Sequence, residues 1–281
     1  MPIKVPENLP ALDKLQGEGV DLITKNTAER QDIRPLRLLL LNLMPKKTDT
    51  EIQFARLFGS SPLQVEMVLM TTASYTPRNT EPAYLRRFYR SLDDVRNNFF
   101  DALIVTGAPI ETLPFHEVSY WPELTEIIRW SQTHCFRRLG ICWGAQALLF
   151  ALHGLEKFPL NEKLFGVFDH QLPQMPGRLL QGFTDNFPMP VSRYTYTRQS
   201  DVSAARLDIL ASSAEAGVGM VRCPQSGDLF VLNHLEYDAD TLAKEYYRDR
   251  NEGVDTALPQ HYFPEDADDK APINRWRPFA F

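Results

Sequence analysis

Cys142 is the residue in this sequence best placed to do chemistry. It stands in Gly140-Ile141-Cys142-Trp143-Gly144-Ala145-Gln146. A strand predicted over residues 138–142 runs straight into the cysteine, and a helix predicted over residues 145–152 begins just after it. A nucleophile at such a sharp turn is lifted above a sheet edge on a strained backbone, and glycines on both sides let the chain approach closely without a Cβ clash. The helix N-terminus turns free N–H groups and the positive end of its dipole toward the sulfur, which favours thiolate over thiol. That matters for rate, because an unperturbed cysteine is only about 3% ionised at pH 7. A cysteine alone at a strand end is more often a small buried hydrophobe. The flanking glycines and the strand-to-helix setting favour the nucleophile.

A nucleophilic cysteine needs a base and a group that orients the base. His234-Leu235-Glu236 follows an apolar stretch predicted as a strand over residues 229–232. Two positions apart on extended chain, His234 and Glu236 share a face. Glu236 can then accept from one imidazole nitrogen while the other addresses Cys142. A surface histidine beside a surface glutamate is the plainer reading of the tripeptide by itself. The other histidines, at 116, 134, 153, 170 and 261, lack such company. His134 reads as a helix-end residue, and Cys135 as structural.

The elements that must position these groups are legible in outline. Residues 36–44 are a near-continuous apolar run closed by Pro45, as suits a strand buried on both faces of a parallel sheet. Thr48 and Glu51 fit a capping box opening a helix to about residue 58. Strands are predicted over 63–69 and 101–106, a helix around 121–130, strands over 207–211 and 219–222, and a helix over 237–251. Residues 71–83 read as loop, and residues 154–205 as irregular with a possible strand near 190–197. This alternation predicts an α/β fold with an open, mostly parallel sheet and helices on both faces. The expected division is an N-terminal arm (1–35), a catalytic domain (36–252) and a C-terminal extension (253–281).

Composition narrows the function classes. The 281 residues include 30 basic and 36 acidic ones, a formal net charge of −6. A global electrostatic grip on nucleic acid or an anionic membrane is not expected. Hydrophobic residues at 43% and charged residues at 23% are ordinary for a globular chain and argue against general disorder. The three cysteines have no CxxC spacing, so neither a disulfide framework nor a metal site is expected. The longest stretch free of Asp, Glu, Lys and Arg spans 139–155, too short for a membrane span. With no apolar signal region at the start, the expected compartment is a reducing cytoplasm.

These residues carry a resemblance. Gly-Ile-Cys-Trp-Gly-Ala-Gln with a later His-x-Glu resembles the Cys–His–Glu triad of class I glutamine amidotransferase-like folds, with His-Leu-Glu in place of the usual His-Pro-Glu. Further segments match one branch more closely: Met1-Pro2-Ile3-Lys4-Val5-Pro6, Leu41-Asn42-Leu43-Met44-Pro45-Lys46-Lys47, Val105-Thr106-Gly107-Ala108-Pro109, Tyr120-Trp121-Pro122, Glu162-Lys163-Leu164, Ser192-Arg193-Tyr194 and Glu236-Tyr237-Asp238-Ala239. The chain resembles the homoserine O-succinyltransferase/O-acetyltransferase family of methionine biosynthesis, from residue 1 to about 277.

The resemblance implies that Cys142 forms an acyl-thioester, that His234 is the general base and Glu236 its partner, and that Lys163, Ser192 and Arg248 contact the amino-acid substrate. A guanidinium at Arg248 can bind a carboxylate bidentately. Backbone N–H groups near Trp143 and Ala108 are candidates for an oxyanion hole; Pro109 has no N–H to offer. Within the family, Glu at position 111 goes with acetyl-CoA and Gly with succinyl-CoA. A carboxylate there repels the free carboxylate of a succinyl group. Lys46 and Lys47 are candidates for CoA phosphates or the substrate carboxylate, though a solvated pair fits as well. The expected activity is therefore acetyl transfer from acetyl-CoA, a co-substrate and not a resident cofactor, to the hydroxyl of L-homoserine. The expected partners are small-molecule substrates and a second copy in a homodimer. Alternatives are a succinyl-CoA donor, an L-serine acceptor, glutamine amide hydrolysis by the same triad, or a binding module on a retained fold.

Overall fold

The computed structural model describes residues 3–5, 10–18, 20, 22–24, 34–61, 63–75, 80–174 and 177–280. The chain divides into two compact units, residues 1–147 and residues 148–280.

The first unit is built on parallel strands. β1 (Ile3–Val5) and β2 (Leu22–Thr24) come from the segment expected as an arm; a short helix, Leu12–Gly17, connects them. Then follow β3 (Leu36–Leu41), β4 (Val65–Met70), the two-residue β5 (Tyr89–Arg90), β6 (Phe100–Val105) and β7 (Cys135–Ile141). Their order is β2-β1-β4-β3-β6-β7, with β5 beside β4, and every pairing is parallel. Leu39, Leu40 and Leu41 are all fully buried, which a strand with one solvated face does not allow. Helices Lys47–Gly59 and Trp121–His134 supply the crossovers that parallel pairing needs, with the shorter Pro82–Phe88 and Leu92–Val95 between β4 and β6. His134 ends its helix, as expected. Burial pushes the neighbouring Cys135 thiol up to about 12 despite Arg138, which suits a structural role.

The capping box expected at Thr48 and Glu51 does not form. The helix starts after Lys46 without a side-chain cap, and Glu51 turns fully inward. There it accepts from the hydroxyls of Tyr84 and Tyr89, each at 2.6 Å. Two phenol donors, one buried and one half-buried, satisfy a carboxylate better than one exposed N–H does.

The second unit is antiparallel. It holds β8 (Phe158–Gln171), β9 (Asn186–Tyr196), β10 (Asp208–Ser213), β11 (Gly217–Arg222) and β12 (Leu229–Val231), ordered β12-β11-β10-β8-β9. The region expected to be irregular is thus mostly a long hairpin of β8 and β9, paired from Phe158↔Tyr196 to Gln171↔Asn186. The strand expected near 190–197 is the second part of β9; Pro188 and Pro190 obscure its start, yet prolines are tolerated on a strand that closes the order. The helix expected from residue 237 begins at Thr241 and ends at Asn251. Beyond it, Gln260 exchanges backbone hydrogen bonds with Phe165 and Val167, both at 2.9 Å. Trp276, fully buried, joins a cluster with Phe165, Tyr237, Tyr246 and Phe263. Residues 253–280 are therefore bound into this unit.

One buried histidine here makes stability depend on pH. His170 is fully buried; its Nδ1–H donates to the Phe168 carbonyl at 2.9 Å and its Nε2 accepts from the Asn233 amide at 2.8 Å. Burial, aided by Arg193, lowers its pKa to about 4. The unfolded chain binds a proton at this imidazole below about pH 6.5 and the folded chain only below about 4. Its contribution is therefore fully present above pH 6.5 and is lost on acidification, by about 3 kcal/mol at pH 4. Urea midpoints between pH 4 and 7 are expected to fall less steeply for His170→Gln than for the wild type. Parallel curves for the two proteins would refute this account.

Candidate active site

Local backbone geometry singles out Cys142. It has φ +50°, among few non-glycine residues with positive φ. An L-residue there costs on the order of 1–3 kcal/mol, and such strain gathers at functional sites. Its carbonyl accepts from Gln146 N–H at 3.1 Å, so the helix Trp143–His153 starts directly behind it. The glycines on either side are there for space. A Cβ on Gly144 would lie 2.3 Å from the Val105 carbonyl oxygen, and one on Gly140 would lie 2.5 Å from the Ala145 Cα. The turn can therefore press against the end of β6 only because both side chains are missing. Trp143 is fully buried, tilted on Phe115 with ring centres 6.0 Å apart and edge-on to Tyr120 at 6.3 Å.

The rest of the first-unit candidates lie around the strand ends. Thr106 Oγ accepts from Leu43 N–H at 2.8 Å and donates to the Gly107 carbonyl at 3.0 Å, tying the ends of β3 and β6 together. Ile110 N–H is spent on the Ala108 carbonyl at 2.8 Å, so the donor in this turn must precede Pro109. Ala108 and Lys47 line the same cleft. Glu111 is half-buried in the tight turn between Ile110 and Leu113 and is not among the cleft's lining residues. Lys46 and Lys47 are not a solvated pair. Lys46 is exposed, whereas Lys47 is buried, donates to the Asn42 carbonyl and faces the Tyr89 ring at 5.6 Å. Burial draws the Lys47 ammonium down to about 8 against the pull of Glu51.

The second unit holds the other candidates in two neighbouring groups. His234 Nδ1–H donates to Glu236 Oε1 at 2.6 Å, and both side chains are buried. The imidazole lies flat on Tyr237, ring centres 4.0 Å apart and planes 13° apart. The Tyr237 carbonyl accepts from Trp276 Nε1 at 2.8 Å, which fastens the stacking residue from the C-terminal segment. Glu236 Oε2 has no hydrogen-bond partner among the described residues.

Lys163 on β8, Ser192 on β9 and Arg248 on the helix Thr241–Asn251 are brought together by two acids. Glu245 Oε1 accepts from Lys163 Nζ and from Ser192 Oγ, both at 2.7 Å. Asp249 accepts from Lys163 Nζ at 3.0 Å and from Arg248 Nε at 3.0 Å. Burial works against the Lys163 charge, but Glu245 and Asp249 outweigh it and hold the ammonium above its usual value. Arg248 keeps half of its side chain in solvent, open to a second partner. Phe165, under Lys163 Nζ at 4.1 Å, belongs to the same buried cluster as Tyr237. Sequence reasoning missed Glu245 and Asp249. Glu245 stands three positions before Arg248 and four before Asp249 on one helix, and that spacing was the available signal. Nothing local marked Tyr237 or Trp276.

An α/β sheet with a cysteine on a strained strand-to-helix turn defines a class, that of glutamine amidotransferase-like folds. A glutamine amidotransferase from Thermotoga maritima superposes with a TM-score of 0.53 over 78% of this chain and 85% of its own, at 15% identity, a likeness of fold alone. The sequence model of the family described as Homoserine O-succinyltransferase matches residues 2–280. The Homoserine O-acetyltransferase of Sinorhizobium fredii is 47% identical over 281 residues, covering 100% of this chain and 92% of that protein. That of Petrotoga mobilis is 45% identical over 282 residues, covering 100% and 91%. The chain belongs to the homoserine O-succinyltransferase family.

Proposed function

We propose that this protein transfers an acetyl group from acetyl-CoA to the side-chain hydroxyl of L-homoserine through a thioester on Cys142. The observation that carries this reading is the strained, glycine-flanked turn at Cys142 in a chain whose full-length relatives are named homoserine O-acetyltransferases. In the first half-reaction His234 holds the proton taken from Cys142, the Cys142 thiolate attacks the thioester carbonyl, the C–S bond to CoA breaks, and the His234 imidazolium returns the proton so that CoA leaves as its thiol. In the second, His234 takes the proton of the homoserine hydroxyl, whose oxygen attacks the acyl-enzyme and releases the Cys142 sulfur. Glu236 keeps the His234 proton on Nδ1, so that Nε2 is the nitrogen that acts as base. Backbone N–H groups at Trp143 and Ala108 serve the oxyanion. Arg248 takes the acceptor's carboxylate, and Glu245, which already gathers Lys163 and Ser192, offers a carboxylate to its ammonium.

Acetyl over succinyl is supported by Glu111 and by the names of the relatives. Its carboxylate disfavours a second carboxylate on the acyl group. A homodimer in the cytoplasm completes the reading. Three buried, unbridged cysteines accord with a reducing compartment, and no helix among the described residues is long and apolar enough to cross a membrane.

Intact-mass measurement tests the reading directly. Incubation with acetyl-CoA and no acceptor is expected to add one acetyl group to the wild type and none to Cys142→Ala. Adding homoserine is expected to discharge it. Labelling by succinyl-CoA alone would overturn the Glu111 argument, and absence of any label would overturn the thioester.

A further inference from the structure

The first unit contains a topological switch point. β3 leads through the helix Lys47–Gly59 to β4 on one side, whereas β6 leads through the helix Trp121–His134 to β7 on the other. β3 and β6 are themselves paired, from Leu38↔Ala102 to Leu41↔Val105. Where two neighbouring strands send their connections opposite ways, a crevice opens beyond their carboxyl ends, and open α/β sheets bind ligands there.

A cleft of about 340 Å³ occupies that place. Leu43, Met44 and Pro45 leave β3 along one wall, and Ala108, Pro109 and Ile110 leave β6 along the other. Tyr75 and Tyr120, whose rings lie 5.6 Å apart, close one side. The Tyr75 end is anchored, because Glu123 accepts from the N–H groups of Ala73 and Ser74 at 2.7 Å each. Most of the lining is apolar; Lys47, Glu117 and Ser119 are its polar side chains besides the tyrosines.

The Cys142 turn meets the cleft wall through Trp143 and the strand end behind that wall through Gly144. Gly144 presses on the carbonyls of Val105 and Thr106, just before Ala108 on the chain. Trp143 packs edge-on against Tyr120. We propose that this cleft seats the pantetheine arm of the acyl-CoA donor, with the thioester end at the Cys142 turn. The inference rests on the acyltransferase reading above. An uncharged chain of methylenes and amides suits an apolar slot with a few hydrogen-bonding groups. Small-molecule sites run from roughly 300 to 1,000 Å³. The cleft is at the lower end, so it takes the arm and leaves the nucleotide outside.

The test compares three donors: acetyl-CoA, acetyl-pantetheine and the short thioester S-acetyl-N-acetylcysteamine. With the wild type, acetyl-pantetheine is expected to match the KM of acetyl-CoA within about threefold, and the short thioester to be at least about tenfold worse. Leu113→Glu and Met44→Glu place a charge on the cleft wall at positions that are not fully buried. Each is expected to raise KM for the two long donors about tenfold while moving that for the short one by less than about threefold. Thermal melts establish that the variants fold. Equal losses with all three donors, or a change confined to the homoserine KM, would overturn the proposal. If wild-type Cys142 takes no acetyl group from acetyl-CoA, the acyltransferase reading fails and takes this inference with it.

Discussion

Gly144→Ala is expected to lower turnover at least about a hundredfold, with a loss of stability on the order of 1–3 kcal/mol. The new methyl would sit 2.3 Å from the Val105 carbonyl oxygen and 2.5 Å from that of Thr106. Both are backbone atoms in a strand end, so no rotamer change relieves the clash. Either the helix moves away from β6 or the turn at Cys142 opens, and in both cases the sulfur shifts against the proposed oxyanion donors. A displacement of about 1 Å at a reacting atom is enough for the predicted loss. Gly17→Ala is the control, since a Cβ there meets nothing within 4 Å; its stability is expected within about 0.5 kcal/mol of the wild type. Urea denaturation and the rate of acetyl-enzyme formation read the two effects separately. Wild-type acylation by Gly144→Ala would show that the close approach has no part in placing Cys142.

Glu236→Gln separates catalysis from stability. Glu236 Oε1 holds the His234 Nδ1 proton at 2.6 Å in a buried pair. A glutamine that turns its NH2 toward Nδ1 forces the proton to Nε2 and leaves the imidazole unable to act as a base. In triads of this kind the wrong tautomer costs on the order of 10⁴ in kcat. The melting temperature is expected to hold or rise, because a buried carboxylate with one unpartnered oxygen becomes a neutral amide. Loss of activity with unchanged or higher stability is therefore the expected pair of results. A variant that keeps more than about a tenth of wild-type kcat would remove Glu236 from the mechanism.

Tyr237 shows how far the positioning of His234 depends on distant chain. The ring beneath the imidazole is fixed through its carbonyl by Trp276, 39 positions later in the sequence. Arg277 N–H in turn donates to Asn274 Oδ1 at 2.8 Å, shaping the turn that presents the indole. The C-terminal segment thus supports the His234–Glu236 pair.

The sequence by itself determined the chemistry-bearing pattern and the parallel core. Gly140-Ile141-Cys142-Trp143-Gly144 marks its own turn, because strand, cysteine and helix are contiguous and the glycines report the lack of space. The runs behind β3 and β6 were legible because strands buried on both faces need long apolar stretches. His234 and Glu236 pair two positions apart as expected, but on a turn beyond β12 and not on extended chain. Only the tertiary structure decided the rest. Thr48 and Glu51 satisfied a local capping rule, yet Tyr84 and Tyr89, more than 30 positions away, claimed the carboxylate. Of the β8–β9 hairpin only a strand near 190–197 was legible, because its prolines and charges answer to an edge position and to the acids of a later helix. Glu245 and Asp249 gathered Lys163, Ser192 and Arg248 from three elements. Local pattern reports burial and turn geometry, whereas the partner of a buried charge is set by whichever segment the fold brings beside it.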